Sequence, residues 1–204
     1  MSQAISKPAA DLISDPAVSR PRRLSSEEYM RLAELGYFEG QHVELIEGQI
    51  LLMSPQGPPH VYSIAQAHGC LAEVFGEIGF VVDQSTYAAD DFSYPEPDLA
   101  VIRGQPRDYA KRHATPQDTL LLVEVSQTTQ KYDRGTKMPL YAKVGITEFW
   151  ILDLKARQLE VYRDPQTTDE GEGRYATLIT LKPDQTISPL EKPDVTIKVQ
   201  DLMV

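Results

Sequence analysis

Residues 120–141 read "LLLVEVSQTTQKYDRGTKMPLY" and hold the pattern that decides the fold. The apolar run at residues 120–123 is typical of a buried β-strand, yet Glu124 continues it in line. A carboxylate there is unfavourable unless a metal ion, a nearby cation or solvent at the strand end binds it. The cations Lys131, Arg134 and Lys137 follow shortly afterwards. The stretch therefore predicts a buried strand with an unusual acidic end, followed by a basic helix within residues 130–143.

Composition indicates an ordinary globular chain. It has 204 residues, of which 41% are apolar, enough to fill one sizeable core. We expect a single domain over residues 23–204, preceded by a mobile arm over residues 1–22 that has little periodicity. The single Cys70 excludes an internal disulfide and is typical of a reducing cytoplasm. No apolar run is long enough to span a bilayer and no secretion signal is evident, so we expect a cytoplasmic protein without membrane contact.

The first elements carry clear boundary signals. Ser25 and Glu28 form a capping-box pattern that predicts a helix start, with Gly36 as its stop. Residues 42–54 alternate in polarity around Glu47 and Gly48, which predicts a β-hairpin.

A longer helix is predicted to begin at Pro58 and Pro59. His68 falls on its predicted apolar face, and we interpret it as a hydrogen-bonded packing histidine rather than a ligand. The other members of this predicted face are Val61, Ile64, Ala65, Leu71, Ala72, Phe75 and Ile78.

Strands are predicted at residues 80–85, 98–102, 119–125, 148–154, 158–163 and 175–181. With the intervening helical segments, this order predicts an α/β sandwich whose mixed sheet carries helices on its faces.

Two acidic residues stand on strands that are consecutive along the chain. Asp98 begins one and Glu124 ends the next. Sequential strands often pair, which would bring the two carboxylates together. Adjacent carboxylates repel, so either one takes up a proton or a divalent cation binds between them, and oxygen ligands suit Mg²⁺ or Mn²⁺. The four scattered histidines and one cysteine do not form a zinc-binding pattern.

The segment after Glu124 places Asp133, Lys137 and Tyr141 on one helical face. A surface ion pair between Asp133 and Lys137 is the ordinary explanation of this spacing. Pro139 implies either a helix that starts near Gly135 or a kink.

The net charge of −10 disfavours nucleic acid as a partner, but the charge is uneven. Residues 103–143 hold eight basic and four acidic side chains, a local excess of +4. Chance clustering on a solvated surface and a phosphate-binding surface both remain open. The basic residues are Arg103, Arg107, Lys111, Arg112, Lys131, Arg134, Lys137 and Lys143.

The segments "PEPDLAVIRG", "LLLVEVSQTTQKYDRGTKMPLYAKVGITEFWILDL" and "LEVYRDP" resemble the Uma-two family of restriction endonucleases, long catalogued as a domain of unknown function. The resemblance covers about residues 24–164 and includes the hairpin "VELIEGQILLMSP". It implies the PD-(D/E)xK nuclease superfamily: a restriction-endonuclease-like α/β core, with an added N-terminal helix and hairpin and C-terminal strands.

Carried over by position, the resemblance implies that Asp98 and Glu124 bind Mg²⁺ or Mn²⁺, with the backbone carbonyl of Val125 as a third ligand. Glu44 matches an acidic position that holds the metal's water or a second ion. The lysine expected two residues after the glutamate is replaced by Ser126, and the resemblance places it at Lys137 instead. A long flexible stem allows an ammonium to reach the same point from another Cα.

The implied function is a metal-dependent DNA endonuclease that hydrolyses phosphodiester bonds. Lys137 would orient or deprotonate the attacking water or offset developing charge. The basic run would face phosphates, and the nearby Tyr87, Tyr94 and Tyr109 would stack on bases or only pack their loops.

Two other hypotheses remain open. The first is a binding or regulatory protein that keeps the nuclease fold but is catalytically inactive, and the second is a generic α/β domain with surface ion pairs. A homodimer would bring two sites to a duplex, although the sequence does not indicate one.

Overall fold

A computed structural model describes residues 22–204, so the predicted arm lies outside the described residues except for Arg22. The helices are α1 (Ser26–Glu34), α2 (Pro58–Phe75), α3 (Gln130–Tyr132) and α4 (Met138–Lys143), with a π-helical turn at Asp133–Lys137 between the last two. The strands are β1 (Val43–Ile46), β2 (Gln49–Leu52), β3 (Gly79–Asp83), β4 (Leu99–Arg103), β5 (Thr119–Ser126), β6 (Glu148–Asp153), β7 (Gln158–Thr167), β8 (Gly173–Leu181), β9 (Thr186–Ile187) and β10 (Ile197–Lys198). Short 3₁₀ turns occupy Pro106–Tyr109, Pro116–Asp118 and Val199–Leu202.

The predicted mixed sheet is confirmed. Six strands lie in the order β3-β4-β5-β6-β7-β8, and the pairing is antiparallel except between β5 and β6, which are parallel. Parallel neighbours require a crossover, and α3, the π-turn and α4 form it.

Two hydrophobic cores cover the two faces of this sheet. Helix α2 and the C-terminal 3₁₀ turn pack on one face, where Val123 and Val125 of β5 point. Leu122 of the same strand points to the other face, which α4 covers with Leu140 and Tyr141. Because side chains alternate along a strand, Glu124 lies on the α4 face.

The N-terminal predictions are also confirmed. Ser25 and Glu28 make both hydrogen bonds of the capping box. The hairpin turns at Glu47 and Gly48, both with positive φ, as a tight turn requires. Backbone hydrogen bonds between Leu45 and Tyr94 then attach β1 to the segment before β4. This attachment brings Glu44 next to the central sheet.

The predicted apolar face of α2 is partly wrong. Val61 is 48% exposed and Ala65 is exposed, whereas Ser63 and Ala67 are buried along with Ile64, Leu71 and Phe75. Ile64, Leu71 and Phe75 are common to the predicted and the observed face, but the buried stripe extends toward Ser63 and Ala67 instead of Val61 and Ala65. His68 is hydrogen-bonded, as predicted, because its ring bonds Asp83 at 2.6 Å, but the ring is partly exposed and does not belong to the core.

The crossover resolves the question raised by Pro139. The helical path widens into the π-turn at residues 133–137, and Pro139 then stands in the first turn of α4. The wider turn accommodates this proline, which has no amide to donate and whose ring would clash with the preceding turn of a regular α-helix. Within residues 22–204, no helix combines the length and apolar character needed to cross a membrane.

Candidate active site

A cleft of about 420 Å³ opens where β4 begins and β5 ends. Its walls come from the hairpin, the first turn of α2 and the crossover between β5 and β6. Glu44, Asp98, Glu124 and Lys137 all line it. The side chains that the sequence singled out from four separate segments therefore meet in one cavity.

Strand pairing brings Asp98 and Glu124 together. Leu99 of β4 stands opposite Val123 of β5, which places the preceding Asp98 opposite Glu124. The Asp98 amide lies 3.4 Å from Glu124 Oε2, and the Val125 amide donates to Asp98 Oδ2 at 2.8 Å. Both acids are buried, at 8% and 2% exposed. The predicted adjacency of the two strands is confirmed.

Lys137 reaches the same acids from the π-turn. Its Nζ lies 2.9 Å from Glu124 Oε1 and 2.9 Å from Glu44 Oε1, and it donates to the Glu96 carbonyl at 3.3 Å. The residue is only 3% exposed. Burial disfavours the charge, but the surrounding carboxylates of Glu124 and Glu44 outweigh it and raise the pKa of Lys137 well above its ordinary value. The ammonium is therefore held in its charged form.

The prediction of a surface ion pair between Asp133 and Lys137 is wrong. Asp133 is buried and accepts a hydrogen bond from the Thr129 hydroxyl at 2.6 Å, while Lys137 pairs with the two glutamates. The wide π-turn brings both side chains to the cleft wall instead of the solvent face.

Tyrosine hydroxyls also donate hydrogen bonds to both glutamates. Tyr132 donates to Glu44 Oε2 at 2.9 Å, and Tyr141 donates to Glu124 Oε1 at 2.8 Å. Glu44 Oε1 also accepts the Glu96 amide at 3.1 Å. Both oxygens of Glu44 are thus engaged, so its described contacts hold Lys137 in place.

Burial raises the pKa of Glu124 well above its ordinary value. The Lys137 ammonium opposes this shift, and the negative charges of Asp98, Asp133 and Glu44 add to it. A buried carboxyl in such surroundings favours a bound proton or a bound cation over a bare charge.

His60 is a cleft residue that the sequence reading missed. It is the third residue of α2, and its Nε2 lies 3.1 Å from Asp98 Oδ2. Burial acts to raise the pKa of Asp98, but the hydrogen bond and charge of His60, followed by Lys137 and the Val125 amide, lower it below its ordinary value. The signal was available: a helix starting at Pro58 places His60 on the same face as Ser63, Ile64 and Ala67.

The donor set fits a hard divalent cation. Among residues 22–204, Asp98 Oδ1 makes only a 3.3 Å contact with the Gln84 side chain, and Glu124 Oε2 only the 3.4 Å contact with the Asp98 amide, so both keep free lone pairs toward these residues. Over residues 22–204, no three histidine, cysteine or acidic side chains come close enough to form a complete cage. Mg²⁺ commonly binds through one or two carboxylates and completes its shell with water and substrate phosphate. Asp98 and Glu124 match that pattern.

Comparison with known proteins agrees with this geometry. The Uma2 family, described as "Putative restriction endonuclease", matches residues 26–200. The chain belongs to this family. A crystal structure from Anabaena variabilis, described as a putative nuclease belonging to DUF820, superposes with a TM-score of 0.65 at 18% identity. The match covers 88% of this chain and 97% of that one, and it shows that the Uma2 chain has the restriction-endonuclease-like fold. No curated protein matches the chain.

Half of the basic residues in segment 103–143 of this Uma2 protein are neutralised by ion pairs. Arg134 binds Asp153 at 2.5 Å and Glu160 at 2.6 Å, while Lys137 is buried between its glutamates. Arg112 pairs with Asp118 at 2.6 Å, and Arg103 with Glu191 at 3.3 Å. Half of the eight predicted cations therefore bind carboxylates within the chain.

The three tyrosines near that segment pack against protein. Tyr87 is 2% exposed and bonds Thr119, Tyr94 packs in the cluster around Tyr29, and Tyr109 packs on Phe80. Loop packing, rather than an exposed stacking platform, describes them in this Uma2 protein.

Proposed function

We propose that this protein is a divalent-cation-dependent endonuclease that hydrolyses phosphodiester bonds in DNA. One observation carries the proposal: Lys137 Nζ lies 2.9 Å from Glu124 in the cleft that also contains Asp98. Ser126 occupies the position where the lysine of the superfamily pattern would stand, and Lys137 delivers the missing positive charge to the same carboxylate from the crossover. Membership of a nuclease family and the nuclease fold support this assignment.

Asp98 and Glu124 would hold Mg²⁺ or Mn²⁺, with the Val125 carbonyl as a third ligand. A bound divalent cation would lower the pKa of a coordinated water and neutralise charge on the non-bridging phosphate oxygens. Asp98 is suited to this role because its carboxylate stays ionised beside His60 and Lys137. Glu124 is suited because a cation relieves the unfavourable burial of its charge.

Lys137 would orient the attacking water and offset the charge that develops on the phosphate. Its raised pKa favours this electrostatic role over that of a general base. A lysine can accept a proton from water only if it is already deprotonated near the working pH, and Lys137 stays protonated. Glu44, with both oxygens engaged, would hold the ammonium at this point.

A supercoiled plasmid tests the proposal directly. We expect purified protein with Mg²⁺ or Mn²⁺ to nick it and EDTA to stop the reaction. Asp98→Ala and Lys137→Met should lower the rate at least about 100-fold, the usual effect of removing a group that stabilises transition-state charge. Lys155→Met is the matched control, since this exposed lysine lies in the turn between β6 and β7. Full activity in EDTA or in Asp98→Ala would contradict the mechanism.

A binding or regulatory protein without turnover is the second candidate. The half-neutralised basic segment and the net charge of −10 favour it, because phosphate binding needs available cations. Inactivity of folded protein on duplex, single-stranded and modified DNA, with Mg²⁺ and with Mn²⁺, would establish this alternative over the nuclease.

A further inference from the structure

His60 makes one hydrogen bond to the protein through its ring, and it makes that bond to the carboxylate proposed to bind the cation. Nε2 lies 3.1 Å from Asp98 Oδ2, and both side chains are close to nine-tenths buried. An ionised carboxylate can only accept, so the proton of this bond is carried by Nε2. The bond fixes one oxygen of Asp98.

The other ring nitrogen has no partner. In the part of the chain that the structure describes, His60 Nδ1 is the one buried side-chain nitrogen or oxygen without a hydrogen bond. A buried polar atom left unsatisfied carries a desolvation penalty, so its retention needs a reason. An apolar side chain at the third position of α2 would avoid this desolvation penalty, but it would lose the hydrogen bond to Asp98.

The two hydrogen bonds to Asp98 Oδ2 also determine where its second oxygen lies. The Val125 amide and His60 Nε2 both approach Oδ2, from β5 and from α2. Within the described part of the chain, Oδ1 then makes only the 3.3 Å contact with the exposed Gln84 and remains available to the cleft. The hydrogen bonds thus hold Oδ2 in place and orient Oδ1 toward the cleft. Hydrogen bonds from outer residues commonly orient the ligands of metal sites in this way.

We infer that His60 is a positioning residue, which clamps Asp98 Oδ2 from the first turn of α2 so that Oδ1 is presented to a divalent cation. The inference rests on the proposed function, because it assigns a partner to one of its metal ligands. It also makes a chemical prediction: since only one ring nitrogen bonds to the protein, a side chain that supplies a single N–H donor is a sufficient replacement.

Direct Mn²⁺ binding to the full chain tests whether His60 positions Asp98, and it needs no activity assay. Electron paramagnetic resonance of free Mn²⁺ measures this binding. His60→Leu and His60→Ala both remove the donor, and each should raise the Mn²⁺ dissociation constant about 10- to 100-fold. His60→Gln keeps an N–H donor and should bind within about threefold of wild type. His68→Leu is the matched control, because it breaks a histidine–aspartate pair on the same helix away from the cleft, and should bind as wild type does.

The outcomes separate the inference from the function on which it rests. Wild-type protein that binds no Mn²⁺ would overturn the proposed metal site, and this role of His60 with it. Wild-type binding that is unchanged in folded His60→Leu or His60→Ala would overturn the role of His60 alone. A loss in His60→Gln as large as in His60→Leu would also overturn it, because the ring and not the hydrogen bond would then matter. Circular dichroism establishes which variants fold, and either donor-free variant suffices.

Discussion

The positive charge of Lys137 is held by oxygen atoms on three sides. Glu124 and Glu44 each approach it at 2.9 Å, and the Glu96 carbonyl at 3.3 Å. Glu44 belongs to the hairpin and Glu124 to the central sheet, so one ammonium joins two parts of the fold. A buried charge is tolerated only with such pairing, because an unpaired one would lose its hydration without compensation.

Replacing Glu44 by Gln tests whether that residue serves the lysine or the metal. Glu44→Gln removes one of the two carboxylates that face Lys137, so we expect cleavage at saturating Mn²⁺ to slow about 10- to 100-fold as the ammonium loses its fixed position. The Mn²⁺ concentration that gives half-maximal rate should change little. Asp98→Asn, the comparison variant, should raise that concentration strongly. Equal shifts in the two variants would instead make Glu44 a metal ligand.

The π-turn is the element that delivers Lys137, and Arg134 attaches it to the sheet. Arg134 binds Glu160 through Nε at 2.9 Å and Nη2 at 2.6 Å, and Asp153 at 2.5 Å. These carboxylates belong to β7 and β6, the strands beyond the crossover. The turn is thereby fixed against the strands that follow it.

Arg134→Met should destabilise the fold by about 1–3 kcal/mol, since it removes the main partner of the buried Glu160 and one partner of the buried Asp153. Burial acts to raise the pKa of Glu160 and of Asp153, yet hydrogen bonds lower both: for Glu160 the bond from Arg134 comes first, and for Asp153 the bond from the Ala156 amide and then that from Arg134. A carboxylate with a lowered folded pKa stabilises the fold above its unfolded pKa of about 4 and loses this contribution as pH falls through the folded value.

Unfolding by urea between pH 3 and pH 7 measures this effect. The difference in unfolding free energy between wild type and Arg134→Met should be constant near neutral pH and shrink below about pH 4. Arg107→Met, at an exposed position, is the control and should change stability little. A difference that grows toward acid would contradict the assignment of Arg134 as the cause of the lowered pKa values.

Local sequence signals predicted most of these elements, and the misses have physical causes. The capping box, the hairpin and the pairing of β4 with β5 follow from turn residues and from short connections. The face of α2 was misplaced because Ser63 and Ala67 are small enough to be buried while Val61 remains exposed. The π-turn has no reliable sequence signal, since its extra residue is accommodated by tertiary packing around Lys137.

At the scale of the whole molecule, the charge distribution limits how the protein can hold DNA. Of the eight basic residues in segment 103–143, Arg103, Arg112, Arg134 and Lys137 are paired with carboxylates. The other four, Arg107, Lys111, Lys131 and Lys143, are exposed. Each phosphate neutralised contributes about −0.9 to the slope of log binding constant against log salt.

We therefore expect a shallow salt dependence. Four available cations set a slope of about −3.6 or smaller in magnitude for duplex DNA. Fluorescence anisotropy in Ca²⁺, over a series of NaCl concentrations, measures it. Lys111→Met should reduce the magnitude by about 1 if that residue contacts a phosphate. A slope as steep as about −7 would mean that phosphates contact cations beyond these four, either from opened ion pairs or from outside the segment.

The parallel pairing of β5 with β6 has a consequence for how such nucleases can be recognised. A chain that leaves β5 must travel back along the sheet before it enters β6, and it passes the end of β5 on the way. A lysine on this return path can lie beside Glu124, as can a lysine on the strand itself. Under the proposed function, the positive charge can therefore stand at position 137 instead of position 126 and still lie beside the glutamate. A search for glutamate and lysine separated by one residue would overlook this chain, whereas a search for an ammonium beside paired strand-end carboxylates would find it.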